Sequence, residues 1–347
     1  MNRTIREACL EAIGRIERVG SDAPGREARE LIRSALGLEA RDFLLLDFSA
    51  LLDPRAEPRL EAMLARREAH EPLQYLLGTV PFCDLELEVG PGVLIPRPET
   101  EVLVERLDFW LTRFAESGSA DLPAPDRPGT SPPNAPGPAS TGPAGRGPAG
   151  QGPAGQDPAG QDPAGQDLTP WMIDVGTGTG AILLALLARS PRWKGIGIDH
   201  SSEALGFARR NLARAIRGGH PYLAGRVRLL QSDLLDCVGA AGPPGTLGLI
   251  VSNPPYIPTP DIGQLAPEVR DHEPRTALDG GTDGLVFVRR ITEGAARLLR
   301  SGGLLAFELA WDQPDTVATL LEGLGFEVLE RYRDLAGRSR GVIAQRL

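Results

Sequence analysis

Residues 171–189 read WMIDVGTGTGAILLALLAR, and the order of residue types in that stretch decides the fold. A short apolar run ends at Asp174-Val175, passes through Gly176, Gly178 and Gly180, and resumes as AILLALLA. A strand, a turn free to take unusual backbone angles and a buried helix are expected in that order. Downstream the chain continues GIGID, helix, RVRLL, loop, LGLIV, long loop, helix, LLAFEL, helix, FEVLE, turn, GVIAQRL. Such alternation marks an open, mostly parallel sheet with helices on both faces. The last two strands have only a short connection and should pair antiparallel. Residues 169–347 are therefore expected to form an α/β, Rossmann-like domain around seven strands.

Upstream the periodicity changes. Ile5, Ala8, Cys9, Ala12, Ile13 and Ile16, and again Ala28, Leu31, Ile32, Ala35 and Leu36, recur at three- and four-residue steps. Residues 1–78 thus read as a small all-α domain of four or five short helices. FCDLELEV (82–89) alternates, meets Gly90-Pro91-Gly92 and is followed by VLI, which signals a linking β-hairpin within 79–95. Pro98 suits a first helical position, and Glu99 and Glu101 suit the positive end of a helix dipole. A helix is expected over 96–116, with Leu103, Leu107, Trp110, Leu111 and Phe114 on its apolar face. Residues 117–168 carry a five-residue repeat of Pro, Ala, Gly and Gln without a large apolar residue in its core. Such a segment buries too little surface to offset its ordering entropy, so disorder is expected there.

Composition narrows the function classes. Hydrophobic residues make up 41% and charged residues 24%, with a net charge of -9. That balance suits a soluble globular protein and argues against stable binding to nucleic acid, which needs a surplus of Lys and Arg. Cys9, Cys83 and Cys237 form no CxxC pair, and the four histidines show no paired-ligand spacing, so no metal site is expected. The first twenty residues mix charges throughout, and the longest apolar run is too short to span a bilayer. A cytoplasmic protein without a membrane partner is the expectation.

In sheets of this type ligands bind beyond the carboxyl ends of the strands. Four such ends carry suggestive residues. After the first strand come Gly176, Thr177, Gly178, Thr179 and Gly180; after the second, Asp199; after the third, Asp233 and Leu234; after the fourth, Asn253, Pro254, Pro255 and Tyr256. The glycines admit a ligand to the backbone, and Asp199 suits a ribose hydroxyl pair. Asp233 and Leu234 suit the amino group and face of an adenine, or belong to an ordinary loop. GTGTGA also fits the loose dinucleotide pattern, so at this point a nicotinamide enzyme stands beside other readings.

The fourth strand end separates them. The Asn253 side-chain carbonyl and the main-chain carbonyl between the prolines present two acceptors to one planar NH₂ group. Tyr256 can lie over that group and exclude water, and neither proline offers a competing donor. A hydride-transfer enzyme has no use for such a fork, whereas methyl transfer from a sulfonium does. Asn253-Pro254-Pro255-Tyr256 after a glycine-rich first strand resembles the S-adenosylmethionine-dependent methyltransferases that act on planar NH₂ groups. The chain is more closely similar to the peptide chain release factor glutamine methyltransferases, the PrmC/HemK family. The resemblance rests on PLQYLLGTVPF (72–82), VLIPRPETEVLVE (93–105), DVGTGTGAI (174–182), QSDLL (231–235), VSNPPYIP, EPRTALDGGTDGL (273–285), FELAWDQ (307–313) and the final DLAGRSRGV.

That resemblance implies a class I S-adenosyl-L-methionine-dependent fold and, as partner and substrate, class I peptide chain release factors. The acceptor would be N5 of the glutamine in their Gly-Gly-Gln motif. By position, Gly176 to Gly180, Asp199, Asp233, Leu234 and Asn253 would line the cofactor. Asn253, Pro254, Pro255 and Tyr256 would hold the glutamine, with Asn253, Pro254 and Tyr256 carrying catalysis. Residues 1–78 would recognise the substrate. The alternative is an amino-group methyltransferase of DNA or RNA bases. Two departures from the family stand out: the repeat over 117–168, and Ala310 where the family often has glycine.

Overall fold

The computed structural model describes residues 3–116, 169–240 and 247–347. The repeat for which disorder is expected lies outside the described residues, as does the side chain of Phe114. The helical N-terminal part contains α1 (Ile5–Arg18), α2 (Pro24–Leu36), α3 (Ala40–Leu44), α4 (Glu57–Glu68) and α5 (Leu73–Leu77). Thr4 and Glu7 cap α1 reciprocally, each side chain bonding the other's backbone N–H. Ile5, Ala8, Ala12, Ile16, Leu31, Ile32, Leu60 and Leu64 form a separate apolar core, which follows the three- and four-residue steps of the sequence.

The hairpin pairs β1 (Thr79–Phe82) with β2 (Leu85–Glu88), and its turn differs from expectation. The chain reverses at Cys83-Asp84, with Cys83 at φ 50°, and not at Gly90-Pro91-Gly92. This register buries Val80, Phe82, Leu85 and Leu87 together against the main core. The glycines after β2 serve close packing instead. A Cβ on Gly90 would meet the Phe207 ring at 3.2 Å, and one on Gly92 would collide with the Glu203 carboxylate.

Next come α6 (Pro98–Glu116), β3 (Trp171–Val175), α7 (Ala181–Arg189), β4 (Lys194–Asp199), α8 (Ser202–Arg217), β5 (Val227–Gln231) and β6 (Leu247–Ser252). They are followed by α9 (Pro267–Arg270), α10 (Val286–Leu298), β7 (Leu304–Glu308), α11 (Pro314–Gly323), β8 (Phe326–Arg333) and β9 (Ser339–Arg346). The sheet has seven strands in the order β5-β4-β3-β6-β7-β9-β8. β3 to β7 run parallel, and β9 is antiparallel to both of its neighbours. This is the expected doubly wound α/β sheet, with its switch in strand order between β3 and β6.

Apolar residues cover both faces of the sheet. Leu103, Leu107, Met172, Leu183, Leu187 and Val251 belong to one core, and Ile173, Ile198, Ile250, Ile291, Phe307 and Leu321 to the other. Arg67 of α4, 4% exposed, joins the helical part to the loop after β6. Its Nε donates to Glu27 Oε2 at 2.8 Å and its Nη1 to Glu268 Oε1 of α9 at 3.2 Å. Among the described residues no helix is long and apolar enough to cross a membrane.

Candidate active site

Strand register brings the four sequence segments to one edge. Val175 is paired with both Ile198 and Ser252, so Gly176 leaves the sheet between Asp199 and Asn253. Asp199 is paired with Gln231, which puts Asp233 and Leu234 beyond it. Ser252 is paired with Phe307, so Asn253 emerges beside Glu308. The fully buried Ser252 hydroxyl donates to Val175 O at 2.7 Å and ties the two central strand ends together.

The glycine turn is held from below and open above. Gly176, Gly178 and Gly180 have φ of 73°, 55° and 82°, the left-handed region that disfavours side chains. A Cβ on Gly176 would meet nothing within 4 Å, and one on Gly178 only the Gly176 carbonyl at 4.0 Å. The space beside these backbones is thus free for a ligand. Asp199 braces the turn: its Oδ2 accepts from Gly178 N at 2.8 Å and its Oδ1 from Ser201 N at 2.9 Å. Burial raises the Asp199 pKa, and those two backbone N–H groups oppose the rise.

Thr177 and Thr179 contribute differently from the glycines. Both are buried. The Thr177 hydroxyl donates to Asp174 Oδ2 at 2.7 Å, and Thr179 O accepts from Asn211 Nδ2 at 3.0 Å. Asn211 of α8 also exchanges hydrogen bonds with the Glu88 backbone and so fastens the hairpin to the turn. Asp174 is 1% exposed, its Oδ1 has no hydrogen-bond partner among the described residues, and burial pushes its pKa up to about 7. At the end of β5, Leu234 is a non-glycine residue at φ 48°, a strained conformation that is concentrated at functional sites. Asp233 is exposed, and its Oδ2 accepts from Arg290 Nη2 of α10 at 2.8 Å, which lowers its pKa.

The corner after β6 rests on residues whose roles the sequence did not announce. Asn253 Nδ2 donates to Glu308 Oε1 at 2.9 Å and lies 3.4 Å from Thr100 Oγ1. Its Oδ1 accepts no hydrogen bond from the described residues and faces away from those two. Gln313 Nε2 donates to Tyr256 O at 3.0 Å, while Gln313 Oε1 accepts from Ala310 N at 3.1 Å. Gly280 and Gly284 press on the corner from outside. A Cβ on Gly280 would lie 2.7 Å from Pro255 O, and one on Gly284 would run into Tyr256 O. Backbone pairing of Ile257 with Leu278 and Gly280 closes this layer. The signal for all five supports lay in the blocks PRPETE, DGGTDG and FELAWDQ, but as contiguous motifs those blocks do not reveal what they touch.

The helix-start block also turns inward. Arg97 Nη2 donates to both Glu273 oxygens at 2.6 and 2.7 Å, with Glu273 buried. Glu99 lies 3.6 Å from Arg340, which Asp334 holds at 2.8 Å. Burial pushes the Tyr256 phenol up to about 12, so it is a neutral ring at working pH. The cleft therefore offers a backbone-lined pocket, a free amide oxygen and a neutral aromatic ring. Open space at Gly176 and Gly178 and the Asp199 carboxylate beside them fit a donor that carries ribose hydroxyls.

Residues 7–78 match the PrmC N-terminal domain, and residues 166–264 match the methyltransferase small domain. The chain is 34% identical to the release factor glutamine methyltransferase of Caulobacter vibrioides, covering 99% of this chain and 96% of that protein. It is 36% identical to the enzyme of that name from Moorella thermoacetica, covering 99% of each. The Geobacter sulfurreducens protein of the same name is 34% identical over 93% of this chain and 90% of its own length.

Proposed function

The chain belongs to the release factor glutamine methyltransferase family, and from that membership we propose how this cleft carries out the reaction. The protein methylates the side-chain amide nitrogen of a release-factor glutamine with S-adenosyl-L-methionine as donor. The glutamine is the one in the Gly-Gly-Gln motif of class I release factors. The observation that carries this reading is the Asn253 amide, whose nitrogen is bonded inward and whose oxygen is left free by the described residues.

The donor supplies a methyl group already activated for attack by its sulfonium. Gly176 and Gly178 let it reach the backbone, Gly180 packs the start of α7 against Leu184 and Ala208, and Asp199 accepts from its ribose hydroxyls. Asp233 Oδ1 and Leu234 take the adenine edge and face. Asn253 Oδ1 and the Pro254 carbonyl accept one N–H each from the substrate amide, which aims its nitrogen along the line of attack. Tyr256 covers the amide and keeps water out, and the two prolines present no N–H that would compete for its oxygen.

A primary amide is a poor nucleophile, and among the described residues the site places no His, Lys or Cys as base. Orientation at near-attack distance in a dry polar site supplies several kcal/mol or so. One N–H stays hydrogen-bonded to Asn253 Oδ1 while the N–C bond forms and the methyl–sulfur bond breaks, leaving a neutral thioether; the nitrogen is then strongly acidic and loses that proton to solvent as the product leaves the site. The helical part, residues 1–78, docks the release factor and is anchored to the catalytic side through Arg67. The protein works in the cytoplasm and does not bind nucleic acid stably.

The test is a mass spectrum of a release factor incubated with the donor, with and without this protein. The expected result is a single added methyl group on the Gly-Gly-Gln glutamine. A methyl group found only on DNA or RNA offered in parallel sinks the proposal.

A further inference from the structure

A carboxyl group behind the corner has no part in the reaction as described. Glu308, at the end of β7, is 2% exposed and sits between Phe307 and Leu309, both fully buried. Its Oε1 accepts from Asn253 Nδ2 at 2.9 Å, and Thr100 Oγ1 lies 3.4 Å from the same nitrogen. Its Oε2 is buried without a partner among the described residues. Burying an acid whose second oxygen is unpaired is unfavourable, and leucine would fill such a site at lower cost. A chain that keeps the acid there needs what only the acid does.

Asn is nearly symmetric in shape and opposite in polarity at its two ends. Flipped by half a turn, Asn253 would present an NH₂ group to the substrate's NH₂ group, and two donors would face each other. Water in the free cleft bonds either end, so it does not choose between them. Glu308 does choose: its Oε1 accepts from Asn253 Nδ2, and above about pH 7, where the carboxyl is ionised, it can only accept. Thr100 reinforces the choice, its Oγ1 lying on the acceptor side 3.4 Å from Asn253 Nδ2.

We propose that Glu308, with Thr100, is a positioning residue that locks the Asn253 amide with nitrogen inward and carbonyl oxygen toward the substrate nitrogen. The inference rests on the amide-methylating reading of this corner. It makes an ordered prediction across substitutions. Leucine at 308 offers no acceptor and frees Asn253. Glutamine keeps one acceptor but also allows the whole network to reverse, so both amide orientations become populated and the substrate selects the productive one.

The experiment compares Glu308→Leu, Glu308→Gln and Thr100→Val in the full chain. It measures kcat on release factor, donor affinity, thermal midpoint and the side-chain amide resonances of Asn253, assigned with Asn253→Ala. For Glu308→Leu, kcat falls on the order of a hundredfold while donor affinity and thermal midpoint are kept. Glu308→Gln and Thr100→Val each lose about two- to tenfold, in keeping with a weakened preference. The Asn253 Nδ2 protons exchange slowly in the native protein and at the rate of exposed amides in Glu308→Leu. The lock is overturned by a Glu308→Leu kcat within about threefold of native, by unmoved Asn253 resonances, or by donor affinity and midpoint falling in step with kcat. A native protein that leaves release factor unmethylated sinks the functional reading instead, and the Asn253 resonances then still decide whether the lock exists.

Discussion

At the β3–β5 end of the cleft the protein offers backbone: left-handed glycines, with open space beside Gly176 and Gly178, and Asp199 bracing their turn. At the β6–β7 end it offers side chains. Asn253 is held by Glu308 and Thr100, and Tyr256 is pinned through its carbonyl by Gln313. The first region is built by one contiguous stretch and its neighbour strand, the second by segments near positions 100, 253, 280 and 310. In the proposed reading, a donor common to many enzymes meets a local backbone device, whereas the acceptor amide meets an assembly. Damage should therefore be graded at the first end and abrupt at the second.

The sharpest way to break that contrast is Asn253→Ala. It removes one of the two acceptors that aim the substrate nitrogen, and kcat should fall on the order of a thousandfold with donor affinity within a few-fold. Single-turnover rates and donor binding by calorimetry check it. Turnover near native would mean that the corner does not orient the substrate.

Gly284→Ala comes next. Its new Cβ would strike Tyr256 O and approach Gln313 Nε2 at 2.7 Å, at a backbone φ of 73° that alanine resists. A shift of Tyr256 by even a fraction of an ångström should lower kcat about ten- to a hundredfold, because alignment is the main source of rate. The thermal midpoint should fall as well. Native kcat in a well-folded variant would show that the outer layer does not hold the corner.

The two ends share one electrostatic feature, a buried acid: Asp174 under the glycine turn and Glu308 behind Asn253, each pushed up to about 7 by burial. With the folded pKa above the unfolded one, the native state binds more protons between about pH 4 and 7. The contribution of each acid to stability is fully present below the unfolded pKa and is lost as pH rises to about 7. Denaturant unfolding across that window should show native stability declining by a few kcal/mol or so, and Asp174→Asn and Glu308→Gln should each flatten the decline. Parallel curves for native and variant proteins would remove the buried-acid account.

Sequence made the two ends legible to different degrees, for a physical reason. The glycine turn, the acid after β4 and the seven strands follow from local period and composition, which the backbone obeys directly. The Asn-Pro-Pro-Tyr corner could be read because two prolines forbid ordinary structure. Its supports could not: Thr100 looked like part of a helix start, Glu308 like a strand residue and Gln313 like loop. What they contact depends on strand order, which brings β6 beside β7 and the start of α6 behind both. The hairpin turn was misplaced for a related reason. Gly90 and Gly92 are required by the approach of Phe207 and Glu203, and a sequence-adjacent glycine pair resembles a turn until its remote neighbour is known.

The smallest expected effect sharpens the contrast from the other side. Gly178→Ala meets open space, so its only penalties are a left-handed φ of 55° and a methyl group in the ligand's path. The strain of about 1 kcal/mol and the intruding methyl should weaken donor binding roughly tenfold. Bound donor would still meet an intact Asn253 corner, so kcat at saturation should stay within about twofold. Donor titrations set beside saturating turnover separate the two quantities. A kcat that collapsed together with affinity would mean that the backbone end of the cleft also aligns the reacting atoms, and the division of labour between the two ends would no longer hold.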